Sequence, residues 1–512
     1  MKFWPLIILL FAILPLRAQV FTTEADRDLI PVKTDTITPS MIPGIYPQIQ
    51  NKTYKFDYVD SWIKRKLIWE NLFIWNTDKG NIYIDPVIDL SFGKEGDRTL
   101  SQNTRGVIVN GQIEDKFTFR TEFYENQAVL PEYVSNRVDS FEIMPGLVRA
   151  KPFGDNGFDY GMVFSQFMWQ PTDHYAMRFG YDRLHIGEGY RSFVLSDASH
   201  AYTFMSHHYT HGNWALTHMI ASLRNPDVNG FNHVPRAESG AYQPKWFAMT
   251  MANWNPTDFL NISLAENTIF MPWDSTKSTF YPASLVPVPF LRSLLYENNG
   301  PHHVINTLLI NARILPDIYL YGQFMGDEIR LGKLKEYDGL QGAMQFGIKW
   351  EKRYLVLKNF VQFEYNVATD NAYTSDSYWT AMTNMDQPLG HPYGQQFSEW
   401  VFRGQIALGR IVGNVHFSQL KGLYLPYGDS YYGIDYDAGD ASGIFGPFFE
   451  PSTVTHIRGE LAYVVNFQTN LQVFGSFAMR NYQSALPVDA VKSTAILFGL
   501  RHKIRNRNYD YF

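Results

Sequence analysis

From Asn81 onward, apolar residues recur at every second position, and that rhythm constrains the chain more than any motif in it. Phe117, Phe119, Thr121 and Phe123 alternate with Lys116, Thr118, Arg120 and Glu122. Met177, Phe179 and Tyr181 alternate with Arg178, Gly180 and Asp182, and Met344, Phe346, Ile348 and Trp350 with Ala343, Gln345, Gly347 and Lys349. Trp400, Phe402, Ile406 and Leu408 oppose Glu399, Arg403 and Gln405, while Ile457, Leu461 and Tyr463 oppose His456, Arg458 and Glu460. A period of two describes strands with one apolar face and one that carries both signs of charge.

Alternation fits a soluble sandwich as well as a barrel, so the connections decide. Tight links fall at 111–115, 170–174, 255–258, 315–317, 351–353, around Arg410 and at 466–470. Long ones fall at roughly 125–158, 182–200, 223–243, 267–303, 328–341, 367–398, 422–454 and 482–492. Short and long alternate, as they do in antiparallel outer-membrane barrels with short periplasmic turns and longer external loops. The expected fold class is therefore all-β, a transmembrane antiparallel β-barrel of about 18 strands. The weakest strand is 201–208, which makes 16 the alternative. A Lys or Arg on the lipid face near mid-depth costs about 2–4 kcal/mol, and the apolar-face positions named above carry none. The last strand is expected over 493–503, or through Ile504, before Phe512 as a terminal aromatic.

Composition supports a membrane wall. Aromatics make up 16% of the chain, with 32 Tyr, 38 Phe and 12 Trp, against 18% charged residues, and interfacial girdles need such rings. The absence of Cys excludes disulfides, thiolate metal sites and a lipoprotein anchor. Lys2, the apolar run from Leu6 to Leu16 and the small Ala18 predict a signal peptide over 1–18; the run is shorter than the ~20 residues a spanning helix needs. Without Lys2 and Arg17 the formal charge moves from −6 to about −8, so no basic footprint for nucleic acid remains. The expected organisation is a signal peptide at 1–18, a periplasmic arm and short helix at 19–80, and the barrel at 81–512. The helix is expected within 61–75, where Trp62, Ile63, Leu67, Trp69, Leu72 and Phe73 approach helical spacing and Ser61 offers a cap.

The stretch 178–205 concentrates the candidate chemistry. It leaves a strand, turns at Gly187 and Gly189, and sets Arg183, His185, Glu188, Tyr190, Arg191 and Asp197 side by side. Lipid cannot satisfy such groups, so the segment must fold over or into the lumen. The loops 369–387 and 428–443 interleave Tyr and Trp with Asp, Asn and Ser, and Tyr431, Tyr432 and Asp435 are candidates for sugar contact. Asp429, Asp435, Asp437 and Asp440 lack EF-hand spacing. The local histidines His200, His207, His208, His211 and His218, with His302 and His303, lack any zinc signature. No cofactor or metal is expected. The chain has no Gly-x-Ser-x-Gly elbow, phosphate loop or dinucleotide fingerprint. Glu188 and Asp197 could form an acid pair, but lumenal carboxylates commonly face arginines, and a non-enzymatic barrel is expected.

With SWIKRKLIWENL (61–72), NTRG (103–106), IGEGYRSFVLSD (186–197), YGQFMGDE (321–328) and MDQPLGHPYG (385–394) in view, the chain resembles the RemB-like gliding-motility-associated outer-membrane proteins of the Bacteroidota. It is more distantly similar to the Wzi-type capsule assembly barrels. The run at 186–197 matches the place where capsule barrels carry Trp-Gly-Pro-Gly before a similar Leu-Ser-Asp, with Ile186 standing for that Trp and Glu188 for that Pro. The resemblance implies an outer-membrane barrel that assembles or retains surface polysaccharide, or serves gliding motility and adhesion. Its implied partners are the lipid bilayer, surface polysaccharide and motility or secretion machinery. About 16 to 18 strands is also porin size, which keeps a small-solute channel as the alternative.

Overall fold

The structure, a computed structural model, describes residues 61–512 except 227–241, 271–285, 289–290, 292–301, 328–341, 423–451, 484–490, 503–508, 511–512 and a few turn positions at 115, 148, 355–356, 370–371, 374, 376–379 and 386. The expected signal peptide, most of the arm, Tyr431, Tyr432, Asp435 and Phe512 lie outside the described residues.

A short helix, α1 (Trp62–Ile68), precedes strands β1 (Phe73–Thr77), β2 (Gly80–Glu95), β3 (Arg98–Ile113) and β4 (Phe117–Val129). Helix α2 (Glu132–Phe141) and β5 (Lys151–Phe153) lead to β6 (Gly157–Thr172), β7 (Tyr175–Asp182), β8 (Tyr202–His211), β9 (Trp214–Pro226), β10 (Tyr242–Thr257) and β11 (Leu260–Phe270). The chain continues through β12 (His302–Leu315), β13 (Ile318–Asp327), β14 (Gly342–Tyr354) and β15 (Leu357–Ala368), then a small hairpin of β16 (Thr383–Asn384) and β17 (Gln387–Pro388). It ends in β18 (Phe397–Leu408), β19 (Ile411–Gly422), β20 (Ser452–Asn466), β21 (Leu471–Gln483) and β22 (Val491–Arg501). Without β1, β5 and the β16–β17 hairpin, these strands form a closed antiparallel barrel of 18 strands.

The seam is shared. Along the upper edge of β2, β22 pairs from Asp89↔Arg501 to Glu95↔Ala495. Along its lower edge β1 pairs from Phe73↔Ile84 to Thr77↔Gly80. This departs from the helix expected over 61–75. Ser61 does cap α1, its hydroxyl accepting from the Lys64 N–H at 3.4 Å. The Asp85 carboxylate then takes the Asn71 amide at 2.6 Å and the Leu72 N–H at 2.7 Å. That draws the chain onto the β2 edge that β22 leaves bare.

One end of the barrel has only tight turns; at Gly212 (φ 56°) and Gly409 (φ 57°) the backbone is left-handed, which glycine adopts without strain. The 212–213 turn and the tight β2–β3 turn at Gly96 are additional to those the sequence rhythm marked. The other connections at the opposite end are long.

Pairing places the apolar residues outward. Val107, Phe123, Val163, Phe179, Phe346, Trp400, Leu461, Phe477 and Phe498 are exposed, whereas Glu122, Gln345, Glu364 and Glu399 on alternate positions are fully buried. Rings stack along the belt, Phe167 on Phe179 at 5.0 Å and Trp214 on Trp254 at 5.4 Å. Arg105 and Glu125 also point outward, directly opposite each other on β3 and β4. Those strands run 16 and 13 residues, beyond the ~9–11 that cross hydrocarbon.

Candidate functional site

The connection from β7 to β8 turns into the barrel. Leu184, Ile186, Phe193, Val194 and Leu195 are at most 2% exposed and pack on inward residues that include Met249 and Met251 of β10, Leu309 of β12 and Met325 of β13. A bridge between Ile186 and Leu195, with the Ile186 N–H donating to the Leu195 carbonyl at 2.9 Å, closes the insert into a loop. Its two glycines are required by what lies against them. Gly187 has φ 129°, and a Cβ there would run into the Gln323 amide. At Gly189 a Cβ would meet the Arg191 carbonyl and lie 2.6 Å from the Gln345 amide nitrogen.

A second insert, the connection from β15 to β18, packs against the first. The expectation that 369–387 forms an external sugar-contacting loop does not hold for its described residues: Ala372, Tyr373, Ser375 and Thr380 through Met385 are buried. The physical reason is mutual hydrogen bonding between the inserts. The Tyr373 hydroxyl donates to the Phe193 carbonyl at 2.9 Å, and the Ser196 N–H donates to the Leu389 carbonyl at 2.7 Å. From the wall, the buried Lys245 ammonium on β10 donates to the Ala381 carbonyl at 2.8 Å and the Thr383 hydroxyl at 3.0 Å.

Charged groups tie the plug to the wall. Glu364 on β15 accepts the backbone N–H groups of Tyr190 at 2.7 Å and Arg191 at 3.1 Å, together with the Tyr321 hydroxyl at 2.8 Å. The Arg191 guanidinium bridges Glu399 on β18 at 2.9 Å and Asp510 at 3.1 Å. Asp510 also accepts the Tyr190 hydroxyl at 3.0 Å and faces His416 of β19 at 2.9 Å. His391 of the second insert reaches Glu399 at 3.0 Å. Burial alone would lower the Arg191 pKa, but Asp510 and Glu399 reverse that and raise it. Burial likewise pushes the Asp510 carboxyl up, and Arg191 and His416 hold it well below the usual carboxylate range. His391 is pushed down to about 4 by burial, against the opposing pull of Glu399.

Asp510 corrects the expected chain end. The final wall strand stops at Arg501, and Tyr509 and Asp510 return to the lumen rather than extending the wall. The Tyr133 hydroxyl donates to the Tyr509 carbonyl and the Tyr393 hydroxyl to the Asp510 carbonyl, each at 3.2 Å.

The other candidates in this stretch are also engaged. Arg183 donates to the Gly146 carbonyl at 2.8 Å and lies over the Phe164 ring at 5.5 Å. His185 is buried, 3.8 Å from the Asp197 carboxylate. Glu188 pairs with Lys349 of β14 at 2.9 Å. The nearby histidines meet hydroxyls: His207 that of Tyr175 at 2.6 Å, His208 that of Thr217 at 2.8 Å and His218 that of Thr250 at 3.0 Å. No group of three His, Asp or Glu among the described residues is placed to hold a metal.

Beside the plug, along β18 to β22 and on to β2 and β3, the lumen keeps a cavity of about 270 Å³. Its lining runs from Asn470 at the tight-turn end to Val129 and Pro131 at the other, with Tyr190, His416 and Asp510 on the plug side. The Arg403 guanidinium lies over the Tyr190 ring at 4.6 Å, and that of Arg501 over the Phe474 ring at 4.2 Å. Arg458 and Arg501 share Glu460. Sequence reasoning reached Tyr190 and Arg191 but not Glu364, Glu399, His391, His416 or Asp510. The inward carboxylates at alternate positions of β15 and β18 were the available signal.

No protein-family model matches the chain, and no curated protein matches it. Among solved structures it is similar to Wzi, described as an outer-membrane protein involved in group 1 capsule assembly in Escherichia coli and a carbohydrate-binding β-barrel. The two are 12% identical over 82% of this chain and 85% of that one, with a TM-score of 0.51. OprD of Pseudomonas aeruginosa aligns at 10% identity over 82% of this chain and 94% of that one, with a TM-score of 0.41. OccAB2 of Acinetobacter baumannii aligns at 10% identity over 83% and 98%, with a TM-score of 0.42. At 12% identity the likeness to Wzi is one of fold, and the closed wall of 18 strands with its apolar belt is that of an outer-membrane β-barrel.

Proposed function

We propose that this protein is a non-enzymatic outer-membrane barrel that assembles or retains surface polysaccharide, with a lumen closed to bulk solute. The observation that carries the reading is the pair of interlocked inserts fixed across the lumen by Arg191, Glu399 and Asp510. Barrels of this strand number otherwise leave an aqueous channel. Here the inserts set apolar packing and buried hydrogen bonds across that space and leave a cavity of about 270 Å³ beside them, which suits a platform better than a conduit. The fold likeness to a capsule-assembly, carbohydrate-binding barrel supports the polysaccharide side of the reading. Resemblance to gliding-motility proteins suggests cell-surface adhesion as the setting in which retained glycan would act. Glu188 and Asp197, the imaginable acid pair, face Lys349 and His185.

Deleting the gene in its host and measuring polysaccharide on cells and in the medium tests this. We expect the cell-bound fraction to fall, the released fraction to rise and small-solute uptake to stay unchanged. The charged cavity beside the plug favours the channel as a second reading; unchanged cell-bound polysaccharide with reduced solute uptake would establish that instead.

A further inference from the structure

One face of the outer wall departs from the apolar rule. Beyond Val107, Phe123 and Val163, toward the long-loop end, the outward positions turn polar or small: Arg105 and Asn103 on β3, Glu125 and Gln127 on β4, Gly161 and Asp159 on β6. The neighbouring strand stays apolar further along. On β2, Ile88, Leu90 and Phe92 pair with Arg105, Asn103 and Ser101, and Leu90 and Phe92 are exposed. The apolar limit therefore falls from the row of Phe92 to the row where Pro86 meets Val107, six residues in one strand step. Strands about 4.8 Å apart and tilted by about 40° shift the belt by only about one residue per step. Arg105 and Glu125 thus lie at a depth that β2 keeps apolar. From the tight-turn end, Ile113 to Arg105 and Phe117 to Glu125 are nine residues each, within the ~9–11 that cross hydrocarbon.

Arg105 and Glu125 are both exposed, and neither has an ion-pair partner among the described residues. Ionisable groups at membrane depth are costly and as a rule face a partner. Beside them the wall is low: Gly161 lies opposite Glu125, and a Cβ there would meet nothing nearer than the Tyr124 carbonyl at 3.7 Å.

We infer that this face is where two copies of the chain meet in the membrane. Arg105 and Glu125 stand side by side in one row, so the patch is its own complement. A two-fold axis along the membrane normal, passing between them, sets Arg105 of each copy against Glu125 of the other. Two ion pairs then replace charges that each wall alone would turn toward lipid. In the next row Asn103 stands opposite Gln127, and these amides both donate and accept across the same axis. In the row before, Val107 and Phe123 supply apolar contact. This pairing of copies is independent of what the barrel handles at the cell surface.

The test uses the full-length barrel in outer-membrane preparations. The chain has no cysteine, so Asn103→Cys supplies a single thiol beside the axis, and a short bis-maleimide is expected to link two copies. Gln419→Cys, exposed on β19 elsewhere on the wall, should link about tenfold less. Reaction with a simple maleimide shows that both thiols are accessible, and the heat-modified gel shift shows that each variant is folded. Adding Arg105→Glu to Asn103→Cys sets Glu against Glu across the axis, and adding Glu125→Arg sets Arg against Arg. Each should cut linking about tenfold. Producing those two variants together should restore it, because each copy then meets the charge it lacks. A charge pair confined to one wall cannot give that recovery. No linking from Asn103→Cys, equal linking from both thiols, or no recovery in the mixture overturns the inference. Linking to a different protein, or loss of bound lipopolysaccharide in Arg105→Glu with linking unchanged, overturns it in favour of that other occupant.

Discussion

The two halves of the lumen solve the problem of an enclosed polar interior in opposite ways. From β7 to β15 the inward side chains are met by protein: Met249, Met251, Leu309 and Met325 pack on the first insert, and Lys245 and Glu364 bond to insert backbone. From β18 around to β3 they are met by one another across a cavity, with Arg458 and Arg501 sharing Glu460. The crowded half is a folded core that lies inside a membrane wall. The open half retains a cavity of about 270 Å³. Arg191, Glu399 and Asp510 lie on the border, so changes there act on both halves.

The difference can be broken most severely by replacing 186–196 with a Gly-Ser linker, which removes the contact between the inserts. Conductance in planar bilayers is expected to rise about tenfold, toward that of an open barrel of this strand number; an unchanged value would mean that the plug does not obstruct. Next in size is Arg191→Met, which leaves Glu399 and Asp510 buried with one partner fewer. Breaking one side of a buried pair costs about 3–5 kcal/mol, to be read as a lower urea midpoint for unfolding in detergent micelles. Gly187→Ala forces a side chain into a left-handed position against Gln323, with an expected loss of about 1–3 kcal/mol in the same assay.

Acid sharpens the comparison further. The folded-state pKa of Asp510 is depressed, so its contribution is fully present above the unfolded carboxyl value of about 4 and is lost as pH falls through the lower folded value. The Tyr509–Asp510 tail should therefore stay docked at pH 5 and release only in stronger acid. Protease susceptibility of the tail across pH reports this, and release near neutrality would contradict it. Smallest is Lys349→Met. The pair it forms with Glu188 has 21% and 36% of its side chains exposed, so its loss should change stability by no more than about 1 kcal/mol.

Much of the wall was legible from residue order because a strand in a bilayer has few options. Phe117, Phe119 and Phe123 alternate with Arg120 and Glu122 because lipid rejects charge on one face and the lumen accepts it on the other. The long connections announced themselves by breaking that period. Their destinations were not legible. Nothing local in 369–396 separates an external loop from a lumenal insert, because Tyr373 and Leu389 become buried only by meeting Phe193 and Ser196, about two hundred positions away in the chain. Asp510 was hidden for the same reason. Its partners Tyr190, Arg191 and His416 come from two distant segments, and the tail beyond the last wall strand folds back to meet them. The helix expected over 61–75 ended early through Asp85, a competitor that spacing alone cannot reveal.

Single-channel recording of the purified, full-length barrel in a planar bilayer bears most directly on the claim that the lumen is closed by its own inserts. We expect almost no stable open level at neutral pH, and large steps once 186–196 is replaced. A steady porin-sized conductance from the unaltered protein would contradict it.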